Sequence, residues 1–197
     1  MSARCATAYR FLTVWRVTGT VAEVKSVLSD SAALPRWWPS VYLSVRPVHA
    51  GAAGGVGAVV DVHTKGWLPY TLRWMLRITE PIGDAGFALE ATGDLCGTGR
   101  WTFLQEGPQV RITFDWQVVA TKPLLRRLGW IAKPVFAANH RWAMARGEKS
   151  LDLELHRRRA FGCAGSAAGA TRDPGSSRRA PSPSGGSPRT LALRSTR

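Results

Sequence analysis

One histidine lies in a segment whose residue types and spacing suit proton transfer. Phe136, His140, Ala143 and Gly147 follow at intervals of four, three and four residues, which places them on one face of a helix. The small side chains of Ala143 and Gly147 would leave room beside the imidazole. A neutral imidazole there could give or take a proton, or orient a carbonyl group. The alternative is a structural histidine, bonded to a backbone carbonyl or a strand side chain.

The carboxylates that could assist such a histidine are predicted to face away from it. Alternation places Glu90 and Asp115 opposite their apolar neighbours, so we expect them to be solvated or paired with the outward Arg73 and Arg77. Asp94 follows a glycine and is interpreted as a turn residue.

Other catalytic and cofactor motifs give no signal. No Ser/His/Asp or Cys/His spacing stands out, HExxH is missing, and the four histidines form no metal pattern. The three cysteines include no CxxC pair. The glycine-rich residues 50–58 lack both a GK[ST] ending and GxGxxG spacing, so they are interpreted as a hairpin connection. We predict no metal and no cofactor.

Tryptophan is the most unusual feature of the composition. The chain holds nine, all in its first three quarters: Trp15, Trp37, Trp38, Trp67, Trp74, Trp101, Trp116, Trp130 and Trp142. So many bulky indoles indicate either a large aromatic core or a cavity with aromatic walls, since both use the same side chains. Each indole also has one N–H that can orient a ligand.

Alternating apolar residues predict the strands that must carry these side chains. Strand patterns occur in AYRFLTVWRV, VYLSVRPV, VVDVHT, YTLRWMLRIT, the segment around Phe87–Ala91, RWTFLQE and the segment 110–118. In the clearest of them, Tyr70, Leu72, Trp74, Leu76 and Ile78 face one way. One face of the sheet is therefore predicted to be apolar and the other mostly solvated.

Helical patterns flank the strands. VAEVKSVL and SAALPRWW are predicted to form two short helices after the first strand, the second capped by Ser29-Asp30 and ended by Pro39. A long C-terminal helix is predicted to begin at Thr121, with Pro123 in its first turn and a kink or break near Gly129 and Pro134. Its apolar spacing runs through Leu124, Leu128, Ile131, Val135, Ala138 and Trp142.

The net charge of +14 is concentrated at the C-terminus. Residues 157–197 contain nine arginines and one acid, and they are rich in glycine, serine and proline. We therefore predict a domain over residues 1–158 and a disordered basic tail over residues 159–197. The tail is predicted to contact anionic surfaces weakly, and no specific nucleic-acid binding is expected.

The N-terminal sequence has no apolar run of the signal-peptide type, and no apolar stretch approaches the length of a membrane span. The expectation is a soluble protein of a reducing cytoplasm.

The predicted element order, together with RWWPSVYL, GWLPYTLRW, GDLCGTGRWTF and FAANHRWAMARGEKSL, resembles the START-like or SRPBCC superfamily. More narrowly it is similar to the polyketide cyclase/dehydrase and lipid transport family, over about residues 8–156. The resemblance implies an α+β helix-grip fold: a seven-stranded curved antiparallel sheet around a long C-terminal helix, with two short helices after strand 1. It also implies a cavity that holds a hydrophobic small molecule. It supplies no universal catalytic motif.

These observations predict binding of a hydrophobic small molecule, lipid or polyketide-like, in an aromatic-lined cavity. The predicted ligand-binding residues are Trp74, Trp101, Trp116, Phe136, His140, Tyr70 and Trp38. The aromatic segments around Trp38 and Trp67 could form the cavity mouth or plug the core.

Two alternatives stay open. The first is a polyketide cyclase or dehydratase that uses His140 as acid and base, which an inward carboxylate or a tyrosine near His140 would favour. The second is an interaction protein that applies its arginine-rich tail to acidic surfaces.

Overall fold

The computed structural model of the protein describes residues 8–121 and 129–169. The element order matches the predicted one: a strand, two short helices, six strands and a long helix. The elements are β1 (Ala8–Thr18), α1 (Val21–Leu28), α2 (Leu34–Trp37), β2 (Tyr42–His49), β3 (Val59–Lys65), β4 (Thr71–Ile78), β5 (Gly86–Gly93), β6 (Leu95–Glu106), β7 (Gln109–Ala120) and α3 (Gly129–Gly169). No helix in these ranges is long and apolar enough to cross a membrane.

The seven strands form one antiparallel sheet in the order β1-β7-β6-β5-β4-β3-β2. Strands β2 to β7 are neighbours in chain order. Strand β1 forms the edge of the sheet beside β7, with which it pairs from Ala8–Val119 to Thr18–Gln109. Side chains alternate across the sheet as predicted: in β4, Leu72 and Trp74 are buried while Thr71 and Arg73 are exposed. The buried face supplies most of the core.

The short helices close one end of the sheet. Thr20 and Glu23 form a capping box on α1: the Thr20 hydroxyl accepts from the Glu23 backbone N–H at 3.3 Å, and the Glu23 carboxylate accepts from the Thr20 N–H at 2.8 Å. Asp30 caps the turn that leads into α2 by accepting from the Ala33 N–H at 3.2 Å. Trp38 follows α2 directly and is buried.

The face that α3 turns towards the sheet differs from the apolar stripe expected of it. Phe136, Met144, Leu151 and Leu155 are buried, whereas Val135, a member of the expected stripe, is 38% exposed. The expected stripe is wrong at Val135, whereas Trp142, another of its members, packs against the core. The inward face of α3 also carries small and polar residues, which weaken the apolar periodicity. The predicted first residue, Thr121, is described and is not helical, and its hydroxyl donates to the Gly93 carbonyl at 2.6 Å. Residues 122–128, which include Pro123, Leu124 and Leu128, lie outside the described chain.

The C-terminal half of α3 is attached to the short helices by ion pairs. The buried carboxylate of Glu154 accepts from Arg36 of α2 at 2.9 Å. It also accepts from Arg157 at 2.7 Å and Arg158 at 2.8 Å, which lie one turn further along α3. Beyond the predicted boundary at Arg158 the helix continues to Gly169, and Arg159 pairs with Glu23 of α1 at 2.7 Å. The first residues of the predicted tail are therefore helical. Residues 170–197, where disorder was predicted, lie outside the described chain.

Candidate functional site

A cavity of about 400 Å³ lies between the inner face of the sheet and α3. Its walls are mostly aliphatic and aromatic side chains. All seven residues predicted to contact a ligand line this one space: Trp38, Tyr70, Trp74, Trp101, Trp116, Phe136 and His140. These residues are far apart in the chain, from the end of α2 to α3. The curvature of the sheet around the helix brings them together.

The sheet side of the cavity is a continuous aromatic wall. Trp101 of β6 stacks on its cross-strand partner Phe114 of β7 at 4.1 Å, and Phe114 stacks on Trp116 at 5.5 Å. Trp74 of β4 reaches Trp116 at 6.0 Å. Gly99 makes room for this arrangement, because a Cβ at that position would lie 2.8 Å from the Trp116 ring.

The tryptophans divide between the two roles that their number suggested. Trp38, Trp74, Trp101 and Trp116 line the cavity. Trp15 is buried in the core, where it contacts Trp38 at 5.6 Å and Trp101 at 5.3 Å. Trp15 therefore packs behind two tryptophans of the cavity wall and does not line the cavity itself.

His140 faces this cavity from α3. Its ring stacks on Phe11 of β1, with centroids 4.1 Å apart, and its Nε2 is buried without a hydrogen-bond partner among the described residues. Burial, helped by the neighbouring positive charge of Arg141, lowers the pKa of His140 from 6.5 to about 4. The imidazole is therefore neutral at pH 7, which suits a base or a hydrogen-bonding group better than an acid.

The room expected beside His140 is only partly present. Ala143 lines the cavity, as its small side chain suggested. The space next to Gly147 is filled by the indole of Trp38, whose Cζ2 would lie 2.3 Å from a Cβ on that glycine. Gly147 thus serves close packing of α3 on Trp38. The sequence shows the small residue but cannot show what fills the space beside it.

One end of the cavity is closed by the β3–β4 loop. The Asn139 side chain of α3 is buried, and its Oδ1 accepts from the Trp67 backbone N–H at 3.0 Å. Tyr70 lines the cavity close to this contact. Burial, and then the nearby Tyr9, raise the pKa of Tyr70 to about 12. The Trp67 side chain itself is 51% exposed, so this indole is neither a plug nor part of the cavity wall.

The sequence analysis missed several polar residues of the cavity wall, among them Thr64 and Tyr42. The Thr64 hydroxyl of β3 accepts from the Trp74 indole N–H at 3.2 Å. Tyr42 of β2, the cross-strand partner of Thr64, also lines the cavity and packs edge-on against Trp38 at 5.2 Å. Only the pairing of β2 with β3 shows that these two residues are neighbours, and the sequence contains no signal for that register.

The three noted carboxylates lie outside the cavity, as expected. Glu90 is exposed. Asp115 is on the outer face, but its partner is Arg10 of β1 at 2.8 Å, because β1 and not β4 is its neighbouring strand on that side. Asp94 accepts from the Arg73 backbone N–H at 2.9 Å in the turn after β5. Among the residues that the structure describes, no carboxylate and no arginine lines the cavity.

Searches with protein-family models and with curated proteins find no significant match to the sequence. Solved structures share the architecture. The Zhui aromatase/cyclase from Streptomyces sp. R1128 superposes with a TM-score of 0.61 at 16% identity, over 77% of this chain and 96% of that one. A START superfamily protein from Mycobacterium smegmatis gives 0.60 at 14% identity, over 75% and 97%. Norcoclaurine synthase from Thalictrum flavum gives 0.55 at 12% identity, over 80% and 99%.

The superpositions cover most of this chain and nearly all of each similar structure, and the strand order and long helix agree with the resemblance noted in the sequence. The chain therefore has the helix-grip fold of the START-like, or SRPBCC, superfamily.

Proposed function

We propose that the protein binds a hydrophobic small molecule, lipid or polyketide-like, in the cavity beneath α3. The observation that carries this proposal is the cavity itself, about 400 Å³ with mostly apolar walls. Ligand sites in proteins commonly enclose about 300–1,000 Å³ and combine apolar walls with a few polar groups. Burial of apolar ligand surface would supply most of the binding free energy.

The similar structures support the proposal at the level of ligand class. Two of them are named as an aromatase/cyclase and as a START superfamily protein. The low sequence identities leave the ligand itself to experiment. The cytoplasmic location and the weak contact of the basic tail with anionic surfaces, both predicted from the sequence, are further parts of this proposal.

Titration with the uncharged dye N-phenylnaphthylamine tests it, because the dye fluoresces strongly in apolar sites. The informative variant is Ala143→Leu, which adds side-chain atoms to the cavity from the inward face of α3. We expect the dye affinity to fall by about tenfold or more, since the extra atoms occupy ligand space. Ala145→Leu is the matched control: the same change on the exposed face of the same helix.

Saturable binding that Ala143→Leu weakens and Ala145→Leu leaves unchanged would support the proposal. Binding that neither substitution affects would place the dye elsewhere on the protein. A wild-type protein that binds no apolar compound would mean that the cavity collapses in solution, and the proposal would be wrong.

A cyclase or dehydratase using the same cavity is the second candidate. Tyr70 lines the cavity together with His140, which is the feature expected to favour this function. The neutral imidazole would remove a proton α to a ligand carbonyl and return it to a departing β-hydroxyl, which leaves as water. The lack of an inward carboxylate among the described lining residues counts against it.

A β-hydroxy aryl ketone distinguishes the candidates, because dehydration produces a conjugated enone that absorbs at longer wavelength. If the protein is an enzyme of this type, His140→Gln removes turnover and retains binding. Binding of the ketone without any enone formed by the wild type would rule this candidate out for that substrate class.

A further inference from the structure

We propose that the Tyr42 hydroxyl donates a hydrogen bond to a carbonyl oxygen of the ligand, so that the cavity selects uncharged aromatic ketones over carboxylates. This inference rests on the proposed function and adds the polar chemistry of the ligand to it.

The position of Tyr42 is set by two neighbours. Trp38 packs edge-on against its ring at 5.2 Å, and Thr64 is its cross-strand partner on β3. The side chain lines the cavity, and burial alone raises the pKa of its hydroxyl well above 10. The hydroxyl therefore keeps its proton at any physiological pH and acts as a neutral donor.

No hydrogen bond joins the Tyr42 hydroxyl to any other described residue. Two other polar groups of the wall are paired: the Trp74 indole N–H with the Thr64 hydroxyl at 3.2 Å, and Asn139 Oδ1 with the Trp67 backbone N–H at 3.0 Å. The Trp38 indole N–H and His140 Nε2 have no partner among the described residues. Tyr42 is partly buried and its hydroxyl has no partner among the described residues, so the donor is free to bind a ligand oxygen.

The charge of the wall argues for a neutral oxygen. No arginine or carboxylate lines the cavity within the described ranges, and His140 is neutral at pH 7. Lys65 is exposed at the rim, at the end of β3. A carboxylate placed at Tyr42 would lose hydration that no buried cation of the described wall replaces, since Lys65 is exposed to solvent. A ketone gains the hydrogen bond and loses far less hydration.

Fluorene and fluorenone test the inference because they share one shape and differ by a single carbonyl group. Each is used to displace N-phenylnaphthylamine from the wild type, Tyr42→Phe and Tyr9→Phe. Tyr9→Phe is the matched control, since Tyr9 packs on Phe136 behind the cavity wall. We expect Tyr42→Phe to weaken fluorenone binding by about 3- to 10-fold, the range of one neutral hydrogen bond, and to leave fluorene unchanged.

The infrared carbonyl band of bound fluorenone gives a second readout that a merely structural role of Tyr42 would not move. It should lie at lower frequency in the wild type than in Tyr42→Phe, and Tyr9→Phe should match the wild type. A fluorene-carboxylate probe should bind more weakly than fluorenone.

The outcomes separate the two proposals. If neither fluorene nor fluorenone binds the wild type, the proposed function fails and this inference fails with it. If both bind but Tyr42→Phe affects them equally, or affects neither, the role of Tyr42 is wrong while the hydrophobic site stands. Tighter binding of the carboxylate than of the ketone would overturn the selectivity.

Discussion

Acid should destabilise this protein through one buried histidine, and His140→Gln should remove that effect. His140 is enclosed between Phe11 and the cavity, and its pKa is lowered from 6.5 to about 4, first by burial and then by Arg141. Glutamine keeps a polar side chain of similar length but has no proton to gain in this range. The variant therefore removes the titrating group while changing the packing little.

The magnitude follows from proton linkage. Between pH 6.5 and 4 the unfolded chain binds a proton at this site and the folded protein does not, so stability rises with pH across that window. The contribution is fully present above pH 6.5 and is lost as the pH falls towards 4. With a pKa of 6.5 in the unfolded chain and about 4 in the folded protein, this histidine lowers the free energy of unfolding by about 2 kcal/mol between pH 7 and pH 5.

Few other groups with a shifted pKa interfere in this window. The pKa values of Glu23 and Asp115 are lowered by Arg159 and Arg10, so their stabilisation is lost only below their ordinary values of 4.5 and 3.8. Urea unfolding at pH 7 and pH 5 measures the change directly. We expect the wild type to lose about 2 kcal/mol more than His140→Gln does.

His156→Gln is the matched control on the same helix, because that ring is 61% exposed. It retains His140, so it should still lose more stability between pH 7 and pH 5 than His140→Gln does. An equal loss in His140→Gln and the wild type would refute the reasoning, since the buried imidazole would then not be the group that titrates.

Two further predictions concern packing and the C-terminus. Gly147→Ala should destabilise the protein by about 1–3 kcal/mol in thermal unfolding, because its Cβ would lie 2.3 Å from Trp38. An unchanged midpoint would show that the indole moves freely. Truncation after Gly169 should leave the midpoint unchanged. Truncation before Arg159 also removes its ion pair with Glu23, whose two side chains are 33% and 35% exposed, and should cost at most about 1 kcal/mol. Loss of the cooperative transition on truncation after Gly169 would contradict the first of these expectations.

Much of the fold could be predicted because its information is local. Alternation in β4 separates Trp74 from Arg73, and the helical spacing of VAEVKSVL predicts α1. The inward face of α3 was harder, since His140 and Gly147 interrupt its apolar pattern while the exposed Val135 extends a false one. Periodicity measures hydrophobicity, and a helix that lines a cavity does not present a purely hydrophobic face.

The sequence by itself determined the element order, the apolar face of each strand and the aromatic character of the interior, because each depends on residues close together in the chain. It also named Trp101, Phe136 and His140 as cavity residues, since strand and helix periods identify shared faces. Tertiary structure decided what lies between those faces. The register of β2 against β3 brings Tyr42 beside Thr64, and the approach of α3 to Trp38 fills the space at Gly147. Contacts between distant segments depend on how the sheet curves around the helix, and no local pattern records that geometry.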